Sequence, residues 1–279
     1  MARTIAFFGP AGTYTEEAAL RYDPEADLKP FPTIAAVGGA VASSATDQGV
    51  VPIENSLEGS VNNTLDVLVS QTDLSIFDEI VMPIDHYLMA KAGTRTDDIK
   101  VIYSHPQSLG QCREFLQRCF PGAQQIASLS NAAAVSDMKE STVTAAAIAP
   151  QRAASIYNVE IIDQSIQDSP NNETRFLVLA LHDHPRTGKD KTSMCLSFPQ
   201  DAPGILYQAL GEFARRNINL AKIESRPTKQ SLGQYIFFID CDGHRDDAPL
   251  KEAIEALTGA NSVVKVLGSY PRWESPEKR

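Results

Sequence analysis

The sequence has few of the residues that build metal, disulfide or redox sites. Its four cysteines include no C-x-x-C pair, and its five histidines show no ligand spacing. This argues against a zinc knuckle or a thiol redox motif, and we interpret the cysteines as buried thiols of a reducing compartment. We therefore expect no metal and no cofactor.

Basic residues and long apolar runs are also scarce. Lysine and arginine number 25 against 35 acidic residues, for a net charge of -10, and no basic stripe occurs. Nucleic-acid binding is therefore not expected, and an anionic ligand would need a locally positive pocket. No apolar run reaches the length of a membrane span, and the short N-terminal one ends at Gly9-Pro10. We expect no membrane segment and no export signal, and predict a cytoplasmic location.

The first two thirds of the chain have the pattern of an α/β protein. Short apolar runs at residues 4–8, 49–53, 101–103, 143–148 and 176–181 predict buried strands separated by helices. This alternation favours mostly parallel sheets. Periodicity alone leaves open whether the region forms one domain or two lobes around a cleft.

The last third has a different pattern. A charged segment without apolar period, residues 182–191, predicts a linker. A β-α-β-β-α-β order follows, which is typical of a ferredoxin-like module. Its elements are predicted at residues 192–198, 203–217, 218–224, 233–241, 248–257 and 262–267. The tail from Trp273 is expected to be loose.

Unusual polar loops follow several of the predicted strands, where α/β sheets bind their ligands. In the first, two glycines precede a helix that Thr13 caps, with Glu16 completing a capping box. Backbone N–H groups at such a helix start suit an anion. An ordinary strand-to-helix turn explains the same residues.

The second loop, residues 54–60, offers donors and carboxyl groups. Asn55 and Ser56 suit a bound carboxylate, whereas Glu54 and Glu58 act as general acids only if burial raises their pKa. We assign Glu54 and Glu58 a structural role. A helix-capping loop is the alternative interpretation of the whole segment.

The third loop, residues 104–111, also follows a strand. Ser104 and Gln107 fit a second capping box, and Gln111 lies one helical turn after Gln107, so both face one side. His105 is a candidate acid or base, although a lone histidine is more often structural.

A fourth polar segment, residues 171–174, precedes a strand. Arg175 is a candidate carboxylate clamp. The Thr174 hydroxyl is a very weak acid, so its residue type alone does not mark it as catalytic.

Taken in order, these segments resemble the prephenate dehydratase family. They are GPAGTYT at 9–15, VPIENS at 51–56, SHPQ at 104–107 with QC at 111–112, and NNETRF at 171–176. The last module, with IESRP at 223–227, resembles the ACT domain. The resemblance covers about residues 4–272.

The resemblance implies two domains. Residues 1–182 are expected to form a catalytic domain of two α/β lobes with a cleft, similar to type II periplasmic binding proteins, and residues 192–272 the ACT domain. It implies that Thr174 is the catalytic residue and that substrate is contacted by Asn55, Ser104 and Gln111. With the residues weighed above, the predicted substrate-binding set is Thr13, Asn55, Ser56, Ser104, Gln107, Gln111 and Arg175.

The implied activity is conversion of prephenate to phenylpyruvate, carbon dioxide and water in phenylalanine biosynthesis. Phenylalanine is expected to bind between paired ACT domains of a homodimer or homotetramer. The predicted effector residues are Gly204, Ile205, Leu206, Glu224, Ser225 and Arg226, with Ile205 where the family usually has alanine. An arogenate dehydratase and a non-catalytic amino-acid-sensing cleft protein are the alternatives.

Overall fold

The computed structural model describes residues 2–70, 73–200, 202–228, 234–260 and 262–274. Their strands form three sheets, each with helices packed on it. The predicted fold class, two α/β lobes followed by a βαββαβ module, is confirmed. The expectation of mostly parallel sheets was wrong, because the first two sheets are mixed and the third is antiparallel.

The first lobe is built around a six-stranded sheet. Its elements are β1 (Thr4–Phe8), α1 (Tyr14–Tyr22), β2 (Asp27–Phe31), α2 (Ile34–Ala42), β3 (Gln48–Asn55), β4 (Gly59–Ser60), α3 (Asn62–Ser70), β5 (Ser75–Pro83) and β11 (Glu173–Ala180). The order is β2-β1-β3-β11-β5, with β4 on β3. Alternate residues of β1 pack on opposite faces, Ile5 with α1 and Ala6 with α2, so a hydrophobic core lies on each side.

The second lobe has a five-stranded sheet in the order β10-β6-β9-β7-β8. Its elements are β6 (Tyr87–Ala90), β7 (Val101–Ser104), α4 (Pro106–Gln111), α5 (Arg113–Cys119), β8 (Gln124–Ala127), α6 (Asn131–Glu140), β9 (Ala145–Ala149), α7 (Gln151–Tyr157) and β10 (Glu160–Asp163), with a 3-10 turn at Thr96–Asp98. The buried alanines of β9 let α6 approach this sheet closely.

Two crossovers, residues 84–86 and 164–172, join the lobes. They are bonded to each other, because Ile84 N–H donates to the Asn172 carbonyl at 2.8 Å and Ile166 N–H to the His86 carbonyl at 3.1 Å. The cleft between the lobes therefore opens directly beside this paired connection.

The third sheet carries the C-terminal module. Its elements are β12 (Asp190–Ser197), α8 (Ile205–Arg215), β13 (Leu220–Pro227), β14 (Tyr235–Asp242), α9 (Ala248–Gly259) and β15 (Val263–Pro271), in the strand order β13-β14-β12-β15. One face packs against α8 and α9 through Phe213 and Leu250. The other packs on the first lobe, where Phe238 and Tyr270 join its core.

The end of the described chain is anchored rather than loose. Trp273 N–H donates to Glu79 Oε1 at 3.0 Å, and Lys189 Nζ donates to Glu274 Oε1 at 2.8 Å. The prediction of a loose tail was therefore wrong for these two residues, and residues 275–279 lie outside the described part. None of the helices in the described ranges combines the length and hydrophobicity needed to cross a bilayer.

Candidate active site

The interlobe cleft is a cavity of about 730 Å³, a size typical of small-molecule sites. Residues of both lobes line it. The polar lining side chains are Thr13, Tyr14, Thr15, Asn55, Glu58, Ser60, His86, His105, Gln107, Ser108, Gln111, Ser130, Asn131 and Thr174. Apolar side chains cover much of the rest, among them Phe8, Val61, Ile84, Leu129 and Phe176.

Thr174 lies near the start of β11, with its side chain toward the cleft and 8% of its surface exposed. Its register partner on β3 is Asn55, whose Nδ2 donates to Thr174 Oγ1 at 2.9 Å. Thr174 accepts this bond and donates to no group among the described residues. Its hydroxyl proton is therefore available to a ligand in the cleft.

The orientation of the Asn55 amide follows from the backbone. Asn55 Oδ1 accepts from the N–H groups of Leu57 and Glu58 at 3.0 and 3.1 Å. Backbone N–H groups only donate, so this end of the amide must be oxygen. The nitrogen consequently faces Thr174, and also Asn172 Oδ1 at 2.7 Å.

The same reasoning determines the amide orientations of Asn172 and of Gln111, which belongs to the second lobe. Since Asn172 Oδ1 accepts from Asn55, Asn172 Nδ2 is the donor to Gln111 Oε1, at 3.0 Å. The Gln111 NH₂ group then faces the cleft, 3.5 Å from Glu58 Oε1. Two backbone N–H groups thus orient a chain of amides that presents the Thr174 hydroxyl and the Gln111 amide as donors.

Helix N-termini supply further attraction for an anion. Thr13 caps α1 by accepting from Glu16 N–H at 3.4 Å, and Ser130 caps α6 by accepting from Ala133 N–H at 3.0 Å. Both caps line the cleft, whereas none of the described lining residues is lysine or arginine. The positive potential that an anionic ligand needs comes from helix ends and neutral donors.

The Glu16 carboxylate holds the first loop in place, though not as an ideal capping box. Its Oε2 accepts from Gly12 N–H at 2.6 Å, and its Oε1 pairs with Arg152 of the second lobe at 2.9 Å. Gly12 has φ of 86°, a backbone region that favours glycine. This loop therefore also links the two lobes.

Arg175 was wrongly predicted to clamp substrate. Neighbouring residues of a strand face opposite sides, so the direction of Thr174 turns Arg175 toward the third sheet. Its guanidinium donates to Glu79 at 2.6 Å, to Asp240 at 2.6 Å and to the Tyr270 hydroxyl at 2.7 Å. Arg175 therefore joins the C-terminal module to the first lobe.

Ser104 and Ser56 were also wrongly predicted to face the substrate. Ser104 is fully buried and donates to the Ile148 carbonyl at 2.9 Å, which ties β7 to β9. Ser56 donates to the Asn171 carbonyl at 3.1 Å and accepts from Glu173 N–H at 2.9 Å. Both hydroxyls support the backbone around the site and do not line the cleft.

His105, and not Ser104, caps α4. Its Nδ1 accepts from Gln107 N–H at 3.3 Å, and the Gln107 side chain lines the cleft as predicted. Burial lowers the pKa of His105 despite the nearby Glu58 carboxylate, which favours the neutral ring. The engaged nitrogen and low pKa both weaken His105 as a rival proton donor.

Of the predicted effector residues, only three lie together. Gly204, Ile205 and Leu206 line a cavity of about 410 Å³ at the start of α8, with Phe198 and Tyr235. Ser225 is exposed and points to the opposite side of β13 from Glu224 and Arg226.

Glu224 and Arg226, which were also predicted to bind the effector, lie on the face of β13 that packs on the first lobe. Glu224 accepts from Ser60 Oγ at 2.5 Å, and Arg226 pairs with Asp66 at 3.3 Å. Lys222, on the same face of β13, pairs with Glu54 at 3.1 Å. The contact with Lys222 is in keeping with the structural role predicted for Glu54.

Among the residues of the site that the sequence interpretation missed are Tyr14, His86, Asn172 and Ser130. Ser130 was recognisable as a helix cap, because it precedes an alanine-rich helical run. His86 and Asn172 had no such pattern, because they lie in the crossovers and their partners are distant in sequence. In the described residues, no three His, Cys, Asp or Glu side chains gather as metal ligands would.

The fold and the cleft define a class, a two-lobed α/β protein whose interlobe site presents donors to an anionic ligand, followed by a ferredoxin-like module. Comparison with known families identifies the chain more specifically than its fold does. A family model described as "Prephenate dehydratase" matches residues 5–184, and one described as "ACT domain" matches residues 199–259. The chain therefore belongs to the prephenate dehydratase family and carries an ACT domain, which confirms the predicted resemblance.

Individual relatives support this membership. A prephenate dehydratase of Mycobacterium leprae (strain Br4923) is 39% identical over 279 residues, covering 96% of this chain and 86% of its own. The crystal structure of a prephenate dehydratase from Arthrobacter aurescens in complex with L-Phe has a TM-score of 0.89 at 36% identity, covering 96% of this chain and 90% of its own. A structure described as GqqA, a novel type of quorum quenching acylase, has a TM-score of 0.87 at 28% identity, covering 99% of this chain and all of its own.

Proposed function

We propose that this protein catalyses the decarboxylating dehydration of prephenate to phenylpyruvate, with Thr174 as the catalytic residue. The observation that carries the proposal is the Thr174 hydroxyl, which accepts from Asn55 and keeps its proton for the cleft. Family membership supports the same reaction. Gln111, Gln107 and Thr13 line the same cleft, and we assign them to the carboxylates of the substrate.

The chemistry requires a proton at the departing oxygen. When the ring carboxylate leaves as carbon dioxide, its bonding electrons enter the ring and expel hydroxide from the opposite carbon. Thr174 donates its proton to this oxygen, which leaves as water, and the Thr174 alkoxide then takes a proton from solvent water before the next turnover. The Asn55 N–H that binds Thr174 Oγ1 stabilises the developing alkoxide and so makes the hydroxyl a better acid.

Neutral donors suit the carboxylate that must be lost. A tight ion pair with lysine or arginine would stabilise that carboxylate in the ground state and oppose its departure. Amide, hydroxyl and helix-end donors hold the dianion more weakly but remain preorganised. The apolar walls, including Phe8 and Phe176, give the ring a surface that excludes water.

The activity is tested by incubating the protein with prephenate and measuring the ultraviolet absorbance of the phenylpyruvate that forms. Losing one preorganised donor costs on the order of 10²–10³ in kcat. Thr174→Ala is expected to lose at least that much, Thr174→Ser to keep measurable turnover, and the exposed-site control Thr258→Ala to resemble the wild type. An inert wild type would reject the reaction, and an active Thr174→Ala would remove Thr174 from its role.

Three alternatives remain to be separated. Arogenate carries an amine in place of the side-chain ketone, so kcat/KM values measured side by side decide between the two substrates. A non-catalytic amino-acid sensor would bind ligands without producing phenylpyruvate. Acylase chemistry needs a nucleophile activated by a base, and among the described residues no histidine or carboxylate is bonded to Thr174.

We further propose that residues 1–182 form the catalytic unit and residues 192–272 a regulatory unit that binds phenylalanine. The cavity beside Gly204, at the N-terminus of α8, suits an amino-acid carboxylate, and one relative was solved with L-Phe. Titrating phenylalanine during turnover tests this, because coupling of about 1–3 kcal/mol changes apparent affinity several-fold. A flat response up to millimolar phenylalanine would reject it.

The proposal also covers the oligomeric state of the protein and its location in the cell. We expect a homodimer or homotetramer, which light scattering with size-exclusion chromatography measures directly. We place the protein in the cytoplasm, in keeping with four cysteines that are all free thiols.

A further inference from the structure

His86 lies in the first crossover between the lobes, and only 1% of it is exposed. Its backbone N–H donates to Gln167 Oε1 at 3.0 Å, and its carbonyl accepts from Ile166 N–H at 3.1 Å. Both crossovers therefore fix the residue. Its ring stands between Tyr14 of the first lobe and Gln111 of the second.

The amide chain fixes the direction of the hydrogen bond at one of the two ring nitrogens. Gln111 Oε1 already accepts from Asn172 Nδ2 at 3.0 Å, and it lies 2.8 Å from His86 Nε2. An amide oxygen does not donate, so His86 Nε2 must carry a proton and donate it to Gln111. The other ring nitrogen, Nδ1, lies 2.7 Å from the Tyr14 hydroxyl.

The surroundings favour one neutral tautomer. Burial lowers the pKa of His86, and it raises the pKa of the Tyr14 phenol well above its ordinary range. In a neutral ring with its proton on Nε2, Nδ1 is an acceptor, so the single Tyr14 hydroxyl proton is shared between Nδ1 at 2.7 Å and the Asp85 carbonyl oxygen at 2.8 Å.

We propose that His86 is a positioning residue, whose Nε2–H holds Gln111 in the orientation that presents its NH₂ group to the substrate. Without this donor, the Gln111 oxygen keeps only Asn172, and the amide is free to turn its acceptor toward an anionic ligand, which it would repel. His86 touches no reacting atom and acts through Gln111. The identity of the group that Gln111 binds, a substrate carboxylate, rests on the proposed dehydratase function.

Two substitutions separate the ring nitrogens. Asparagine places its terminal amide near the position of Nδ1, whereas glutamine reaches the position of Nε2. His86→Asn is expected to lower kcat/KM about 10- to 100-fold, mainly through a higher KM, as loss of a hydrogen bond to a charged group predicts. His86→Gln is expected to recover most of the loss, because it restores a donor to Gln111.

A double-mutant cycle tests whether the effect passes through Gln111. In a Gln111→Ala background, His86→Asn should change kcat/KM by less than about twofold. Full additivity of the two losses would overturn the proposal. So would equal losses in His86→Asn and His86→Gln, since a purely structural role does not distinguish the two amide positions.

The tautomer gives a readout that does not depend on turnover. In ¹⁵N- and ¹³C-labelled wild-type protein, the His86 ring resonances, assigned through their correlations to the backbone of the same residue, should show Nε2 protonated and Nδ1 bare at neutral pH. A proton on Nδ1 instead would contradict the proposal even if the variants fail to fold. If wild-type protein does not convert prephenate, the proposed function fails while this measurement still decides the role of His86.

Discussion

The sharpest stability test concerns Arg175, which joins the C-terminal module to the first lobe. Its guanidinium bonds to Glu79, Asp240 and Tyr270, and the Glu79 side chain is 1% exposed. Arg175→Met removes the charge, keeps an unbranched apolar stem and leaves buried carboxylates behind. Breaking such a pair costs about 3–5 kcal/mol, and we expect the lower end, since Lys191 still pairs with Glu79 at 2.7 Å.

The same network predicts the pH dependence of this loss. Burial alone would raise the pKa of Glu79 and Asp240, but Arg175 and Lys191 outweigh it and hold the pKa of each carboxyl below its ordinary value. A lowered folded-state pKa contributes stability that is present above the unfolded pKa, about 4, and is lost as pH falls through the folded pKa. The gap between wild type and Arg175→Met should therefore be largest near neutral pH and shrink in acid.

Urea unfolding at neutral and acidic pH measures both quantities. Tyr270→Phe is the matched control, because it removes a neutral partner of Arg175 at a cost of about 1 kcal/mol without uncovering a charge. A loss below 1 kcal/mol for Arg175→Met at neutral pH, or a gap that stays constant in acid, would refute the reasoning. A raised KM with unchanged stability would instead support the substrate clamp that the structure argues against.

Two further predictions concern the amide chain and the module contact. Asn55→Asp keeps the side-chain shape but cannot donate to Thr174 or Asn172, so kcat should fall on the order of 10²-fold or more while circular dichroism stays native; turnover near that of wild type would contradict this. Gly268→Ala should destabilise the protein by about 3 kcal/mol in urea unfolding, because φ is 153° and the added Cβ would lie 2.2 Å from the Ile76 carbonyl oxygen. A stable Gly268→Ala protein would show that the module shifts away from β5 at little cost.

The hydrophobic pattern of the sequence correctly predicted strands that consist of an uninterrupted apolar run. The run at β1 was predicted with its observed bounds, because every central residue is apolar and buried. The strand β5, with Asp78 and Glu79 in its middle, was missed, since carboxylates normally mark exposed positions. Glu79 is buried there because Arg175 and Lys191 neutralise it, and both come from parts of the chain distant in sequence.

In the candidate site, too, some residues were predicted correctly from the sequence and others were not. Thr174, Asn55 and Gln111 were predicted from motif segments, and the structure brings all three into the cleft wall. Ser104 and Arg175 belong to the same segments but point elsewhere. A segment predicts that a loop reaches the site, whereas the direction of each side chain depends on strand register and on caps that only the folded chain defines.

A protein with a net charge of -10 can bind an anionic substrate if the cleft itself attracts anions. Here cationic side chains near the site pair with carboxylates outside the cleft. Arg175 and Lys191 neutralise Glu79, and Lys222 pairs with Glu54, all at the contact with the C-terminal module. The cleft itself is left with helix N-termini and amides whose orientation originates at two backbone N–H groups. A site of this kind attracts a dicarboxylate without locking its leaving carboxylate in an ion pair, which is what a reaction driven by loss of carbon dioxide requires.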